Sequence, residues 1–397
     1  MAEDGYQWWQ QRMGHLARYF DALRIDHILG FFRIWEIPGH SVEGLLGHFS
    51  PALPLHQHEI EQRIGWFDYG RLCEPYIRWH IVQEIFHGQA QPVFDEFMEA
   101  NEHGVIRLRE HVRTQRQVEA VISEKIRQDP ANTDHYTWLR TGLYKLINEV
   151  LLVPDDQRAD FYHPRITLHL SRSFRELDDH TRTRLHELYI DFFYRRHEDF
   201  WRRQGLVKLP AVRWATDMLI CGEDLGMVPE SVPGVMNALG ILGLNIQRMP
   251  SDPSVEFGDP ARAPYLSVVS PGSHDMSTVR GWWEEDREKT QRFFEQLLGH
   301  WGQQAPLHCE PWVAREIVAQ HLASPAMWAI FPLQDLLALH EQLRRSDPAE
   351  EQINVPANPT HFWKYRLHLN LEELLQQIEF NQDFSLLVTT SHRVQVY

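Results

Sequence analysis

Short apolar runs recur along this chain, and longer stretches with helical spacing separate several of them. The runs lie at Leu23–Asp26, Met218–Cys221, Leu244–Gln247, Leu266–Ser270 and Met327–Phe331. Apolar runs of this length indicate strands that are buried on both faces. Because parallel strands need long crossover connections, which are usually helices, the alternation predicts an α/β fold with a parallel sheet and outer helices.

A different pattern fills the interval between the first and second of these runs. Pro, His and Gln are frequent from about residue 40, and long polar stretches follow. Residues 106–128 and 178–204 have the spacing of helices, and Gly205 can end the second one. The pattern therefore predicts a large, mostly helical insertion.

Five strand–helix units are fewer than the eight that close a (β/α)8 barrel. No room remains before Asp26 for three more units, so we predict a partial (β/α)8 TIM barrel that comprises about strands 4 to 8. Residues 1–40 would form the first part of the barrel, residues 41–204 the insertion, and residues 205–397 the second part.

Charge and composition limit the partners of the chain. Its 39 Lys and Arg residues face 55 Asp and Glu residues, which gives a formal net charge of −16. This charge argues against a nucleic-acid partner and suits a neutral substrate. No apolar run approaches the roughly 18 residues of a membrane span, and the first residues lack the pattern of a secretory signal. The three widely spaced Cys residues fit a reducing cytoplasm better than a disulfide framework.

Three acidic motifs follow or end predicted strands. They are Arg24-Ile25-Asp26-His27, Gly222-Glu223-Asp224-Leu225-Gly226 and Gly272-Ser273-His274-Asp275. In a barrel of parallel strands, the carboxyl ends of the strands form the catalytic rim. Two carboxylates that flank a glycosidic bond can cleave it and remake it.

Asp26 has two interpretations. It can cap the following helix or simply pair with Arg24, or it can act as a nucleophile. Because Arg24 and Asp26 are two positions apart, both side chains point to one face of the strand. A neighbouring cation favours the ionised carboxylate that a nucleophile requires.

The other acids also have two interpretations each. Glu223 is either a loop acid before a helix or a general acid/base, and the flanking glycines would let a sugar approach the backbone closely. Asp275 belongs either to an Asx-type turn or to a sugar-binding site, with His274 donating to a hydroxyl beside it. No phosphate-binding or dinucleotide-binding motif occurs, and the pair His56 and His58 is explained by chance among 24 His residues, so we expect no metal and no cofactor.

Together and in this order, the three motifs and the segment Trp35-Glu36-Ile37-Pro38 resemble 4-alpha-glucanotransferases of the amylomaltase type, glycoside hydrolase family 77. The resemblance covers nearly the whole chain in the subgroup of plant-type disproportionating enzyme 2 and its bacterial relatives, which carries a long insertion between the first and second catalytic acids. Further stretches that resemble this subgroup are Leu45-Leu46-Gly47, Phe161-Tyr162-His163-Pro164-Arg165, Leu177-Asp178-Asp179-His180, Ser324–Asp335 and Asn358–Arg366.

The resemblance implies a role for each site residue. Asp26 would be the nucleophile, Glu223 the acid/base and Asp275 the stabiliser of the transition state, while Arg24 and His274 would contact the substrate. It also implies a retaining double displacement on alpha-1,4-glucans, in which a glucosyl unit passes from maltose or a malto-oligosaccharide to a glycogen-like glucan.

The resemblance further implies that the chain is the carboxyl-terminal part of such an enzyme, which either needs a partner chain to supply the missing barrel strands or is inactive without them. Two other functions stay open on the sequence alone. An alpha-glucan hydrolase of the amylase clan would use the same acids with water. A non-catalytic glucan-binding fragment would bind sugar without turnover.

Overall fold

A computed structural model describes residues 2–393 of the chain. The chain divides into two compact units. The residues up to Leu29, together with those from Leu206 onward, form one, here called the parallel-sheet unit. Residues Gly30–Gly205 form the other, here called the middle unit. The middle unit overlaps the insertion predicted at 41–204.

The strands and helices are as follows. The strands are β1 (Ala22–Ile25), β2 (Ile34–Glu36), β3 (His48–Ser50), β4 (Leu55–His56), β5 (Met98–Ala100), β6 (Ile106–Leu108), β7 (Leu152–Pro154), β8 (Phe161–Pro164), β9 (Leu219–Gly222), β10 (Gly243–Ile246), β11 (Ser267–Ser270) and β12 (Trp328–Ala329). The helices are α1 (Gln7–Leu16), α2 (Gln57–Ile64), α3 (Tyr69–Leu72), α4 (Trp79–Phe86), α5 (Ala90–Phe97), α6 (Gln115–Gln128), α7 (Thr133–Ile147), α8 (Arg172–Arg175), α9 (Asp179–Tyr194), α10 (Glu198–Arg213), α11 (Ser231–Ala238), α12 (Val279–Glu285), α13 (Arg287–Gln296), α14 (Pro311–Leu322), α15 (Leu333–Leu337), α16 (Leu371–Leu375) and α17 (Ile378–Thr390).

Each of the five predicted apolar runs overlaps a strand, and all five strands lie in the parallel-sheet unit. Strand β1 pairs with β9, β10 pairs with β11, and β11 pairs with β12, always in parallel. A parallel bridge between Cys221 and Leu242 links β9 to the start of β10. The carboxyl ends of these strands therefore point the same way within each sheet, which places the residues that follow them at a common edge.

Apolar packing explains why these runs form strands. All four residues of β11 are buried, and Cys221, Leu242 and Val268 form an apolar cluster between the strands. A second cluster, built around Trp283 and Phe293, packs the helices of this unit against one another. Both are contiguous cores of the kind that hold one layered α/β unit together.

The predicted helix over 106–128 is wrong at its start. Residues Ile106–Leu108 form β6, which pairs antiparallel with β5. The helix itself begins at Gln115, because Thr114 forms a capping box with Gln117. Strand β6 is short and lies just before a polar stretch with helical spacing, so the sequence pattern does not separate the two elements.

The predicted helix over 178–204 is two helices, α9 and α10. Asp178 caps α9 by accepting a hydrogen bond from the Thr181 amide at 3.0 Å. Gly205 does not end α10, which continues to Arg213. A Cβ atom at Gly205 would lie 2.4 Å from the Phe32 ring, so glycine is required there for close packing rather than for a helix end.

The free energy of unfolding of the middle unit is expected to fall in acid, because this unit buries two histidines. Burial lowers the pKa of His163 and of His197 to about 4. The ring of His48, stacked 4.1 Å from that of His163, lowers the pKa of His163 further. In the unfolded chain both imidazoles titrate near 6.5, so below that pH the unfolded state binds protons that the folded state does not. Each histidine should then cost about 2 kcal/mol of unfolding free energy between pH 7 and pH 5.

The parallel-sheet unit provides the internal control for this prediction. Burial lowers the pKa of His321 to about 4, but it raises the pKa of Asp224 and of Asp335 to about 6. These carboxyls take up protons in the folded state below pH 6, which offsets the histidine effect. Amide hydrogen exchange, corrected for its intrinsic pH dependence, should accelerate more in the middle unit than in the parallel-sheet unit between pH 7 and 5. Equal acceleration in both units would contradict the prediction.

Candidate active site

The first acidic motif lies at the end of β1. Asp26 directly follows this strand, and its side chain is 80% exposed. Arg24 donates a hydrogen bond from Nη2 to Asp26 Oδ1 at 2.8 Å. The period-two spacing thus brings the two side chains together, as predicted. The pair holds the carboxylate at the strand end with one oxygen engaged by a cation.

The second motif lies beside the first, although it is distant in sequence. Glu223 follows β9, and its backbone N–H donates to the Ile25 carbonyl at 2.9 Å, which extends the pairing of β9 with β1. Its side chain turns toward the same segment, because Oε2 accepts a hydrogen bond from the His27 amide at 2.9 Å. The other oxygen accepts from the Leu225 amide at 3.0 Å. The Glu223 carboxylate is therefore bonded to the peptide group that joins Asp26 to His27.

The backbone at His27 is strained. Its φ is 46°, in the left-handed region that non-glycine residues rarely occupy. Such conformations persist where surrounding contacts fix them, and here the Glu223 carboxylate accepts the His27 N–H. The hydrogen bond therefore couples the conformation of the first motif to the side chain of the second.

The third motif lies in the loop between β11 and α12. His274 Nε2 is 3.3 Å from Asp275 Oδ2, and Asp275 Oδ1 accepts a hydrogen bond from Asn354 Nδ2 at 2.7 Å. The His274 ring packs against Trp363 with 5.1 Å between ring centroids. Asn354 and Trp363 were not predicted as site residues. Trp363 lies within a stretch that only resemblance singled out, and Asn354 carries no local sequence signal.

Arg248, a buried residue that follows β10, fixes both ends of this loop. It donates from Nε to the Pro271 carbonyl and from Nη2 to the Ser277 carbonyl, at 2.7 Å each. A longer bond of 3.4 Å reaches the Thr278 carbonyl. A Cβ atom at Gly272 would lie 2.2 Å from Arg248 Nη2, so only glycine admits this guanidinium. The buried Arg248 side chain thus holds the loop that carries the third motif in place.

Buried acids balance the cations under the loop. Asp335 on α15 accepts a hydrogen bond from the Val279 amide at 2.8 Å, and burial raises its pKa to about 6 while the charge of Arg248 opposes that rise. Arg280 on α12 pairs with Glu351 at 2.5 Å, and both side chains are buried. The second pair ties α12 to the segment that carries Asn354, which explains how a residue so far along the chain reaches Asp275.

A cavity of about 520 Å³ lies inside the parallel-sheet unit, within the size range of small-molecule sites. Arg24 and His274 line it, as do Gly222 and Asp335. The predicted catalytic acids are not lining residues, but each lies within two positions of one: Asp26, Glu223 and Asp275. Through Arg24, Gly222 and His274, all three motifs contribute to the lining of one cavity.

Other groups considered from the sequence have structural roles. His56 caps α2 by accepting a hydrogen bond from the His58 amide at 3.2 Å. Within residues 2–393, no group of three or more His, Cys, Asp or Glu side chains is arranged to hold a metal ion. Over the same residues, every helix is too short or too polar to span a bilayer. Cys73, Cys221 and Cys309 are buried and unpaired.

The chain is similar in sequence to known proteins along nearly its whole length. Residues 1–371 match the protein family described as Glyco_hydro_77, 4-alpha-glucanotransferase. The chain is 40% identical over 399 residues to the 4-alpha-glucanotransferase DPE2 of Oryza sativa subsp. japonica, covering 99% of this chain and 41% of the rice protein. It is 31% identical over 185 residues to the 4-alpha-glucanotransferase of Chlamydia muridarum, covering 45% of this chain and 34% of that protein.

Among solved structures, the amylomaltase from Streptococcus agalactiae in complex with acarbose aligns with a TM-score of 0.37 and 18% identity. That alignment covers 47% of this chain and 35% of the amylomaltase. The chain thus spans less than half the length of the rice and chlamydial relatives that it matches.

Proposed function

The chain belongs to the 4-alpha-glucanotransferase family, glycoside hydrolase family 77, and we propose that it transfers a glucosyl unit from maltose or a malto-oligosaccharide to an alpha-glucan acceptor. The observation that carries this proposal is the hydrogen bond from the His27 amide to Glu223, which joins the Asp26 and Glu223 motifs across the two neighbouring strands. Two carboxylates at adjoining strand ends are the equipment of a glycosidase-type displacement.

In the proposed reaction, Asp26 attacks the anomeric carbon of the donor while Glu223 protonates the departing sugar oxygen. The resulting glycosyl–Asp26 ester is then attacked by an acceptor hydroxyl, whose proton returns to Glu223, and the anomeric configuration is retained. Arg24 donates a hydrogen bond to Asp26 Oδ1 and so orients the carboxylate at the strand end. Each Glu223 oxygen accepts one backbone N–H bond and keeps a second lone pair, which can carry the proton for the leaving group.

The third motif serves as the sugar-binding side of the proposed site. Asp275 is oriented by Asn354 and His274, and its carboxylate can bind ring hydroxyls in a way that favours the oxocarbenium-like transition state. Trp363 is 62% exposed beside His274, so its ring is accessible to the apolar face of a sugar. Transfer exceeds hydrolysis where such contacts position an acceptor hydroxyl better than water.

We extend the proposal to the architecture. The five parallel strands would be part of a (β/α)8 barrel, about strands 4 to 8, with residues 41–204 as an insertion. Within the residues described, β1 and β12 each pair with a strand on one side only. Open strand edges favour pairing with another strand, so a further polypeptide segment or chain would supply the remaining strands. The buried free thiols and the acidic surface suit a cytoplasmic protein.

The test is an incubation with maltose and glycogen. It is run with and without the part of the rice relative that lies outside the match. We expect glucose release accompanied by lengthening of the glycogen outer chains. Glucose release without lengthening would indicate a hydrolase instead. Sugar binding with no glucose release under either condition would indicate a non-catalytic glucan-binding protein.

A further inference from the structure

We propose that the middle unit contains a binding site for a phosphate-bearing sugar, independent of the glucan site. The site is a cavity of about 580 Å³, which lies in the size range of small-molecule pockets. All its lining residues belong to the middle unit, and the charged ones are Asp68, Arg71, Glu74, Arg78, Arg107 and Arg113. Four arginines and two acids give the lining a formal charge of 4 − 2 = +2, in a chain whose net charge is −16.

Both acids and two of the arginines are engaged within the protein. Glu74 pairs with Arg107 at 2.7 Å. Asp68 caps α3 by accepting a hydrogen bond from the Arg71 amide at 3.1 Å. The Arg71 guanidinium donates to the hydroxyl and the carbonyl of Ser173 at 2.6 and 2.7 Å. These groups build the wall of the cavity.

The other two arginines have no acidic partner. Arg78 donates to the carbonyl of its neighbour Ile77 at 3.0 Å, and in the part of the chain that the structure describes neither Arg78 nor Arg113 forms an ion pair. Both arginines line the cavity, so their N–H groups are available to a ligand inside it. A guanidinium binds phosphate through two parallel N–H donors, which makes arginine a preferred partner of phosphate groups.

The cationic wall is held in place by an aromatic ring. The guanidinium carbons of Arg71 and Arg78 lie 4.0 and 4.1 Å from the centroid of the Tyr76 ring. Tyr76 is itself fixed, because its hydroxyl donates to Glu176 at 2.9 Å. Stacking occupies the faces of the guanidiniums and leaves their N–H edges able to donate. Burial lowers the pKa of Arg71, and the charge of Arg78 lowers it further, a repulsion that a bound dianion would relieve.

The size and lining of the cavity favour a sugar phosphate over a bare anion. A phosphate ion would fill a small fraction of the space, and the rest offers both acceptors for hydroxyls and apolar contacts. The carboxylates of Asp68 and Glu74 can accept hydroxyl hydrogen bonds, while Pro75 and Val105 can contact the apolar face of a ring. The expected ligand is therefore a hexose that carries a phosphate monoester.

Isothermal titration of the full chain at constant ionic strength tests the proposal, with glucose 6-phosphate, glucose and inorganic phosphate as probes. We expect glucose 6-phosphate to bind more tightly than either of the others. The double variant Arg78→Gln/Arg113→Gln should weaken its binding at least roughly 100-fold, because two charge-assisted contacts are lost. The control, Arg63→Gln/Arg116→Gln, removes the same charge from exposed positions outside the cavity and should bind nearly as the parent does.

Three results would overturn the proposal. They are no saturable binding of glucose 6-phosphate, an equal loss of affinity in the control double variant, and equally tight binding of inorganic phosphate, which would indicate a simple anion site. Unchanged unfolding temperatures would show that the variants are folded. The titration needs no glucan turnover, so its outcome is independent of whether the proposed transfer reaction occurs.

Discussion

Replacing Asp26 by asparagine is expected to lower the rate of glucosyl transfer by roughly 10⁴-fold or more, because an amide cannot form the glycosyl ester. The change is nearly isosteric, and the Asp26 side chain is 80% exposed, so the fold should be unaffected. An exposed ion pair with Arg24 contributes at most about 1 kcal/mol to stability. Glucose release from maltose, with glycogen as acceptor, measures the activity, and thermal unfolding checks the fold.

A matched control lies at the other end of the same strand. Asp21 precedes β1 and is exposed, so Asp21→Asn removes the same charge without touching the proposed nucleophile. We expect this variant to keep the parent rate. If Asp26→Asn kept the parent rate as well, Asp26 would be only a strand-end residue paired with Arg24, which is the alternative that the sequence left open.

Replacing Arg248 by methionine is expected to lower the free energy of unfolding by about 3–5 kcal/mol. The substitution leaves the carbonyls of Pro271 and Ser277 without their donor and leaves Asp335 buried without its nearby cation. Denaturant unfolding measures the loss. Hydrogen exchange at the amides of the Pro271–Thr278 loop should rise more than exchange elsewhere in the parallel-sheet unit.

Two further variants separate charge from geometry. Adding Asp335→Asn to Arg248→Met should recover part of the loss, since it removes the uncompensated buried acid. Arg248→Lys keeps the charge but cannot reach two carbonyls in a fixed fork, so it should leave the loop less protected than the parent. A loss of less than about 1 kcal/mol of unfolding free energy in Arg248→Met would show that the hydrogen bonds of Arg248 do not hold the loop.

The positions of the five parallel strands could be predicted from the sequence because each overlaps a short apolar run. Strand β11, with all four residues buried, is the clearest case. Once a strand is placed, the residue after it is placed too, so Asp26 and Glu223 could be assigned to strand ends. Their contact through the His27 amide follows from the parallel pairing of β1 with β9.

The supporting contacts could not be predicted, because they depend on tertiary packing. Asn354 lies beside Asp275 in a segment that the buried pair of Arg280 and Glu351 ties to α12, and no local sequence pattern predicts this contact. A glycine at this position is typical of a helix end, but Gly205 instead allows the Phe32 ring to pack closely against the helix. The hydrogen bonds of Arg248 likewise depend on three backbone carbonyls that come together only in the folded protein.

A covalent bond between Asp26 and the transferred sugar can be detected directly by mass spectrometry. The Glu223→Gln variant is incubated with α-glucosyl fluoride, whose leaving group needs no protonation, so the ester should form and then persist without its general base. After proteolysis, we expect the peptide that contains Asp26 to gain the mass of one anhydroglucose unit. Fluoride release with Asp26 unmodified, or the added mass on another carboxylate, would contradict the assignment of Asp26 as the nucleophile.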